Sequence, residues 1–92
     1  MALDLSPFRG HFPALGRLYQ GQRLVFFDNP GGTQVPQQVI DHTTTYFQHS
    51  VANVHGQFLT SQRTDAVIEE CHAGLAALLG GAPDEIVLGA NM

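Results

Sequence analysis

The sequence predicts an α/β fold whose sheet is incomplete. Two short runs of β-branched and aromatic or aliphatic residues, Leu24 to Phe27 and Ile86 to Leu88, enclose two segments with helical periodicity. Strands separated by helical segments indicate α/β architecture, but two short strands cannot make an independently stable sheet. The remaining strands are therefore expected outside these 92 residues.

The first twenty residues place Phe8, Phe12, Leu15, Leu18 and Tyr19 around Pro7 and Pro13. That pattern predicts irregular chain leading into a short helix near Pro13 to Tyr19, an arm packed on other protein. Leu24 to Phe27 lies between Gly21 and Asp28-Asn29-Pro30-Gly31-Gly32, so it reads as a strand ending in a turn. Pro36 suits the first turn of a helix, where its missing N–H is not needed. Val39, Ile40, Thr43, Tyr46 and Phe47 then share one face up to about His49.

Ser50 to Leu59 has no helical period and reads as an ordered loop. A second helix is expected to start near Thr60 to Thr64, with hydroxyl caps available and Asp65 near the positive end of the helix dipole. Its apolar face consists of Val67, Ile68, Cys71, Leu75, Leu78 and Leu79, and Gly80-Gly81 supplies a left-handed stop. Cys71 cannot form an internal disulfide, being the only cysteine, and its neighbours at helical spacing predict a buried thiol. Pro83-Asp84-Glu85 turns the chain into the strand Ile86 to Leu88, bounded by Gly89. A chain that stops soon afterwards, at Asn91-Met92, is read as a piece of a longer domain.

Composition points the same way. Hydrophobic residues make up 43% of the chain and charged residues only 13%, against about 25% charged in an ordinary soluble domain. A 92-residue chain buries only about 60 to 65% of its unfolded surface, so this little charge is read as a surface partly covered by other protein, in preference to a surface rich in Thr and Gln. The net charge is -4, and the four basic residues, Arg9, Arg17, Arg23 and Arg63, are scattered. They form no patch for phosphate neutralisation, which argues against a nucleic-acid partner. No apolar run approaches bilayer length and the start has no signal-peptide pattern, which predicts no membrane partner and a cytoplasmic location. The five histidines form no i, i+3 or i, i+4 pair on one helix, so metal binding is not expected. Pro30-Gly31-Gly32-Thr33 lacks the Gly-Lys-Ser/Thr ending of a phosphate-binding P-loop.

Phe27-Asp28-Asn29-Pro30-Gly31-Gly32-Thr33-Gln34-Val35-Pro36 resembles the tract of the cysteine desulfurase-like (class V aminotransferase) family in which a strand ends in Asp-Asn-Ala-Ala-Thr-Thr-Gln-x-Pro. Gln38-Val39-Ile40-Asp41 continues the similarity. Ala52-Asn53-Val54-His55 is similar to that family's Asn-Val-His loop. A long helix then closes in Leu79-Gly80 before Pro83-Asp84-Glu85-Ile86-Val87. Four blocks in order, over residues 24 to 92, make the signal specific where any single block would not.

The resemblance implies a fold type I, pyridoxal 5'-phosphate-dependent homodimer acting on an amino-acid substrate. Residues 1–23 would be its amino-terminal arm and residues 24–92 the start of its large domain, with the rest of that domain and the second subunit as partners. It further implies that Asn29, Gly31, Gly32, Asn53 and His55 line the substrate side of the cofactor, and that Asn91 and Met92 begin the phosphate loop. No catalytic residue is assigned. Such enzymes hold the cofactor through a lysine Schiff base, and residues 1–92 contain no lysine. The parent protein is thus expected to be an enzyme and this chain alone is not.

Several positions depart from the family pattern. Pro30 and Gly31 replace paired alanines, Gly56-Gln57 stands where Arg-Gly is usual, and Leu59 replaces a second histidine. These departures leave the substrate open, along with the reaction: desulfuration, transamination or another elimination. An alternative of a different class is a non-catalytic interaction module that pairs with a full-length homologue.

Overall fold

The computed structural model describes residues 1–90, in two units divided after Thr45. Asn91 and Met92, the expected start of a phosphate loop, lie outside the described residues.

The first unit opens with a single helical turn, α1 (Ser6–Arg9), where irregular chain is expected from the sequence. Pro7 provides its preset φ, and Asp4 Oδ1 accepts the Ser6 N–H at 3.0 Å. That backbone hydrogen bond, with a second contribution from the Ser6 hydroxyl, holds the Asp4 carboxyl below its ordinary pKa. The helix expected near Pro13 to Tyr19 is a 3₁₀ turn, Pro13–Gly16, and the chain is already extended at Arg17.

Strands β1 (Leu18–Tyr19) and β2 (Gln22–Arg23) follow as an antiparallel hairpin, Leu18 opposite Arg23 and Tyr19 opposite Gln22. Gln20 and Gly21 have φ of 50° and 77°. Positive φ at both central residues matches the natural twist of a two-residue hairpin.

The sheet thus forms at residues 18–23, while the strand expected at Leu24 to Phe27 joins no ladder among the described residues. The physical reason is locality. A hairpin needs only a two-residue loop, whereas Leu24 to Phe27 needs a distant strand to pair with. The segment nevertheless keeps a strand's alternation: Leu24 and Phe26 are half-buried, and Val25 and Phe27 are exposed. Phe27 retains 94% of its accessible surface.

Helix α2 (Gln37–His49) begins one residue after Pro36, which the sequence places in its first turn, and its Gln37 N–H donates to the His11 carbonyl at 2.7 Å. The Gln37 side-chain amide donates to Asp41 one turn on, at 2.8 Å. The division between the units falls within α2.

In the second unit, a loop over residues 50–58 precedes α3 (Leu59–Leu79). The helix stops at Gly80, whose φ is 74°; the Gly80 and Gly81 amides converge on the Ala76 carbonyl. This is the expected left-handed stop. A 3₁₀ turn, Pro83–Glu85, follows, in which the Glu85 carboxylate accepts the Ala82 N–H at 2.7 Å. His72 Nδ1 lies 3.1 Å from the Pro83 carbonyl and joins this turn to α3.

Ile86 is extended and half-buried, but Ile86 to Leu88 pairs with no strand among the described residues, and Val87 is 90% exposed. The second expected strand therefore also lacks its sheet. Ser61, Thr64 and Ala76 are buried on α3; Ile68, His72 and Leu75 are half-buried on the same face.

Cys71 is exposed, against the burial expected from its apolar neighbours. It lies with Val67, Gly74 and Leu78 at spacings of four, three and four, a strip of α3 adjacent to the buried one. That strip is exposed among the described residues, Val67 by 51% and Leu78 by 78%. The architecture, helices with a small two-stranded sheet, is consistent with part of an α/β protein.

Candidate functional site

The residues expected to line a pocket fall into two sets, one in each unit. In the first unit, extended chain reaches Asp28 and tightens into a 3₁₀ turn, Asn29–Gly31. The Gly31 N–H donates to the Asp28 carbonyl at 2.7 Å and the Gly32 N–H to the Asn29 carbonyl at 3.0 Å. Gly32 has φ 142° and ψ 117°, a region open in practice to glycine alone. A Cβ on Gly31, by contrast, would make only ordinary contact with Asp28 Oδ2 at 3.4 Å. Asn29, Gly31 and Gly32 are all exposed, as lining of an open face requires.

The second set sits on the loop before α3, and three side chains of that helix hold it. Ser61 is fully buried; its hydroxyl donates to the Asn53 carbonyl at 2.5 Å and accepts the Gly56 N–H at 2.7 Å. Thr64 donates to the Ser50 carbonyl at 2.8 Å, with the Thr60 carbonyl at 3.0 Å and the Tyr46 hydroxyl at 3.3 Å. With its single proton directed to carbonyls, the threonine oxygen is the natural acceptor for Tyr46. Asp65 accepts the His55 N–H on both carboxylate oxygens, at 3.0 and 3.1 Å.

These bonds explain an unusual backbone. His55 has φ 65°, in the left-handed region that costs a non-glycine residue about 1 kcal/mol or more. A charge-assisted bond from its own amide, about twice the strength of a neutral one, offsets that cost. The imidazole is left outside, 86% exposed, with Nδ1 3.6 Å from Asp65 Oδ1. Val54, His55, Asp65, Ile68 and Glu69 line a shallow cleft of about 200 Å³ at this point.

Gly56 is required for closeness of approach rather than for its φ. A Cβ there would strike the Phe58 ring and lie 2.9 Å from the Ser61 hydroxyl.

The sequence locates Ser61, Thr64 and Asp65 at the start of the helix but assigns them the wrong task. The residue at the N-cap is Phe58, with no side-chain cap bond, and the hydroxyls turn to the preceding loop. Asp65, in the second turn, serves the His55 amide rather than the helix dipole. The legible signal is a Ser-x-x-Thr-Asp series following an Asn-x-His-Gly loop, small polar groups opposite a backbone that has no ladder of its own. Among the described residues there is no cluster of three metal-ligating side chains, and no helix is long and apolar enough to cross a membrane.

Comparison with known proteins identifies the relatives of this chain. The family model described as Aminotransferase class-V matches residues 25–90. A cysteine desulfurase of Synechococcus elongatus is 40% identical over 68 residues, covering 72% of this chain and 11% of that protein. A probable cysteine desulfurase of Vibrio cholerae is 42% identical over 66 residues, 70% of this chain and 16% of its own length. A third similar protein, a probable cysteine desulfurase of Halobacterium salinarum, is 34% identical over 85 residues, 90% of this chain and 20% of its own. The chain thus spans a fifth or less of each of these three relatives.

Proposed function

The chain belongs to the class-V aminotransferase family, and from that premise we propose that it supplies the amino-terminal part of a pyridoxal 5'-phosphate-dependent, cysteine desulfurase-like enzyme acting on an amino acid. In this reading residues 1–23 are the arm and residues 24–92 the opening of a fold type I large domain. The cytoplasmic, homodimeric setting belongs to the same proposal.

One observation carries the reading: the Asn53 to Gly56 loop is fixed by buried hydroxyls and a carboxylate, yet presents its imidazole almost entirely to the outside. A rigidly held polar group on an otherwise open wall is what a site needs for orientation. The turn Asn29 to Gly32, in the other unit, is likewise exposed, and its place in the pocket is part of the same proposal. Exposed Phe27 and Val87, on segments extended but unpaired, support the presence of further strands beside them.

The cofactor contributes a ring that takes up electrons from the bond being broken. The residues present do not include its point of attachment. No lysine amine is available in residues 1–92 to bind the cofactor covalently, so in this reading the chain is not catalytically competent alone.

The test is made in the complete enzyme. His55→Ala is expected to lower turnover with little change in melting temperature, because the imidazole makes few contacts while the loop is held by backbone groups. Equal losses of turnover and stability would return His55 to a structural role. Full turnover in the variant would remove it from the pocket.

A further inference from the structure

The contacts of Asp65 go beyond holding a loop. Both of its oxygens accept the His55 amide, and Oδ1 also lies 3.6 Å from the His55 Nδ1. Asp65 is half-buried while the imidazole is exposed, so the carboxylate faces one edge of the ring and leaves the other open. The distance is too long for a direct hydrogen bond and too short to admit a water between the two atoms. What acts across it is charge. A carboxylate at that range favours an N–H on the nitrogen that faces it, and in a neutral imidazole the other nitrogen then carries the lone pair.

We propose that Asp65 is the positioning residue for His55: its carboxylate fixes the left-handed backbone and selects the ring form with the proton on Nδ1, presenting Nε2 outward as an acceptor. This deepens the proposed function and rests on it for the use to which Nε2 is put. Where His55 lines the pocket, the wall facing the substrate would be a hydrogen-bond acceptor, suited to an ammonium or hydroxyl group of an amino acid rather than to its carboxylate.

Glu69 lines the same cleft one helical turn further on and provides the control. The experiment uses the complete enzyme with ¹⁵N-labelled histidine. Spectra are recorded in mildly alkaline buffer. The His55 signals are identified by their loss in His55→Gln. The Nδ1–H form is expected to predominate in the unaltered chain. In Asp65→Asn, which keeps an acceptor for the amide, the ratio of Nδ1–H to Nε2–H should fall about fivefold. Asp65→Glu should restore part of it, and Glu69→Gln should leave it unchanged.

Identical ratios in the unaltered chain and in Asp65→Asn would overturn the proposal. So would an equal response to Glu69→Gln. The measurement needs no cofactor. If the ratio shifts as expected while His55→Ala leaves turnover of the complete enzyme untouched, the positioning stands and the pocket reading falls.

Discussion

At the scale of single residues, two hydroxyls and one carboxylate decide the shape of the loop. Ser61 is fully buried and satisfies one backbone donor and one backbone acceptor of that loop. Ser61→Ala leaves the Gly56 N–H and the Asn53 carbonyl without that partner, at a cost of about 1–3 kcal/mol. The expected outcome is faster amide exchange at residues 53–56, with the helical signal of α3 retained. Unchanged exchange at those amides would show that the hydroxyl contributes nothing to the loop. Gly32 makes the complementary case on the backbone itself, because its φ of 142° excludes a Cβ, whereas Gly31 meets only the Asp28 carboxylate at contact distance. Gly32→Ala should therefore destabilise the first unit more than Gly31→Ala does, as read by urea denaturation of the two variants.

At the scale of elements, what the sequence made legible was whatever depends on local chemistry. Pro36 before α2, the aperiodic loop after it, and Gly80 closing α3 stand where residue type places them. The two strands did not form, because Leu24 to Phe27 and Ile86 to Leu88 carry strand composition but a ladder requires a neighbour that composition cannot supply. The hairpin at residues 18–23 went unread for the opposite reason: its turn is Gln20-Gly21, and glutamine gives little warning of a positive φ. Cys71 was misjudged because periodicity identifies an apolar face but not which flank of it is covered. The thiol should react completely with a disulfide reagent in the absence of denaturant, at a rate close to that of a small-molecule thiol. Protection comparable to that of a core cysteine would mean that the strip through Val67 and Leu78 is covered after all. Among the candidate pocket residues, the loop containing Asn53 and His55 was visible in sequence as a motif, but the side chains that hold it were not, because each acts on a backbone group several residues away.

At the scale of the whole molecule, the deciding feature is how much apolar surface the chain leaves open. Val25, Phe27, Leu78, Val87 and Leu88 all remain exposed, while Ala76, at 2% exposure, is the one fully buried hydrophobic residue among those described. Apolar area in water drives association at about 25 cal/mol per Å², and unpaired extended segments add backbone groups that seek a ladder. The 92-residue chain is therefore expected to self-associate as its concentration rises, with helical content retained because α2 and α3 are set by local periodicity and stop signals. Sedimentation across a hundredfold range of concentration measures the association, and circular dichroism on the same samples measures the helix. The single substitution that tests the cause is Phe27→Asp, which places a charge on the exposed side of Leu24 to Phe27 without touching the half-buried Leu24 and Phe26. It should reduce association while leaving helical content unchanged. A chain that stays monomeric throughout and melts sharply would mean that these segments are stable in water as they stand, and the argument for further strands beside them would lose its physical basis.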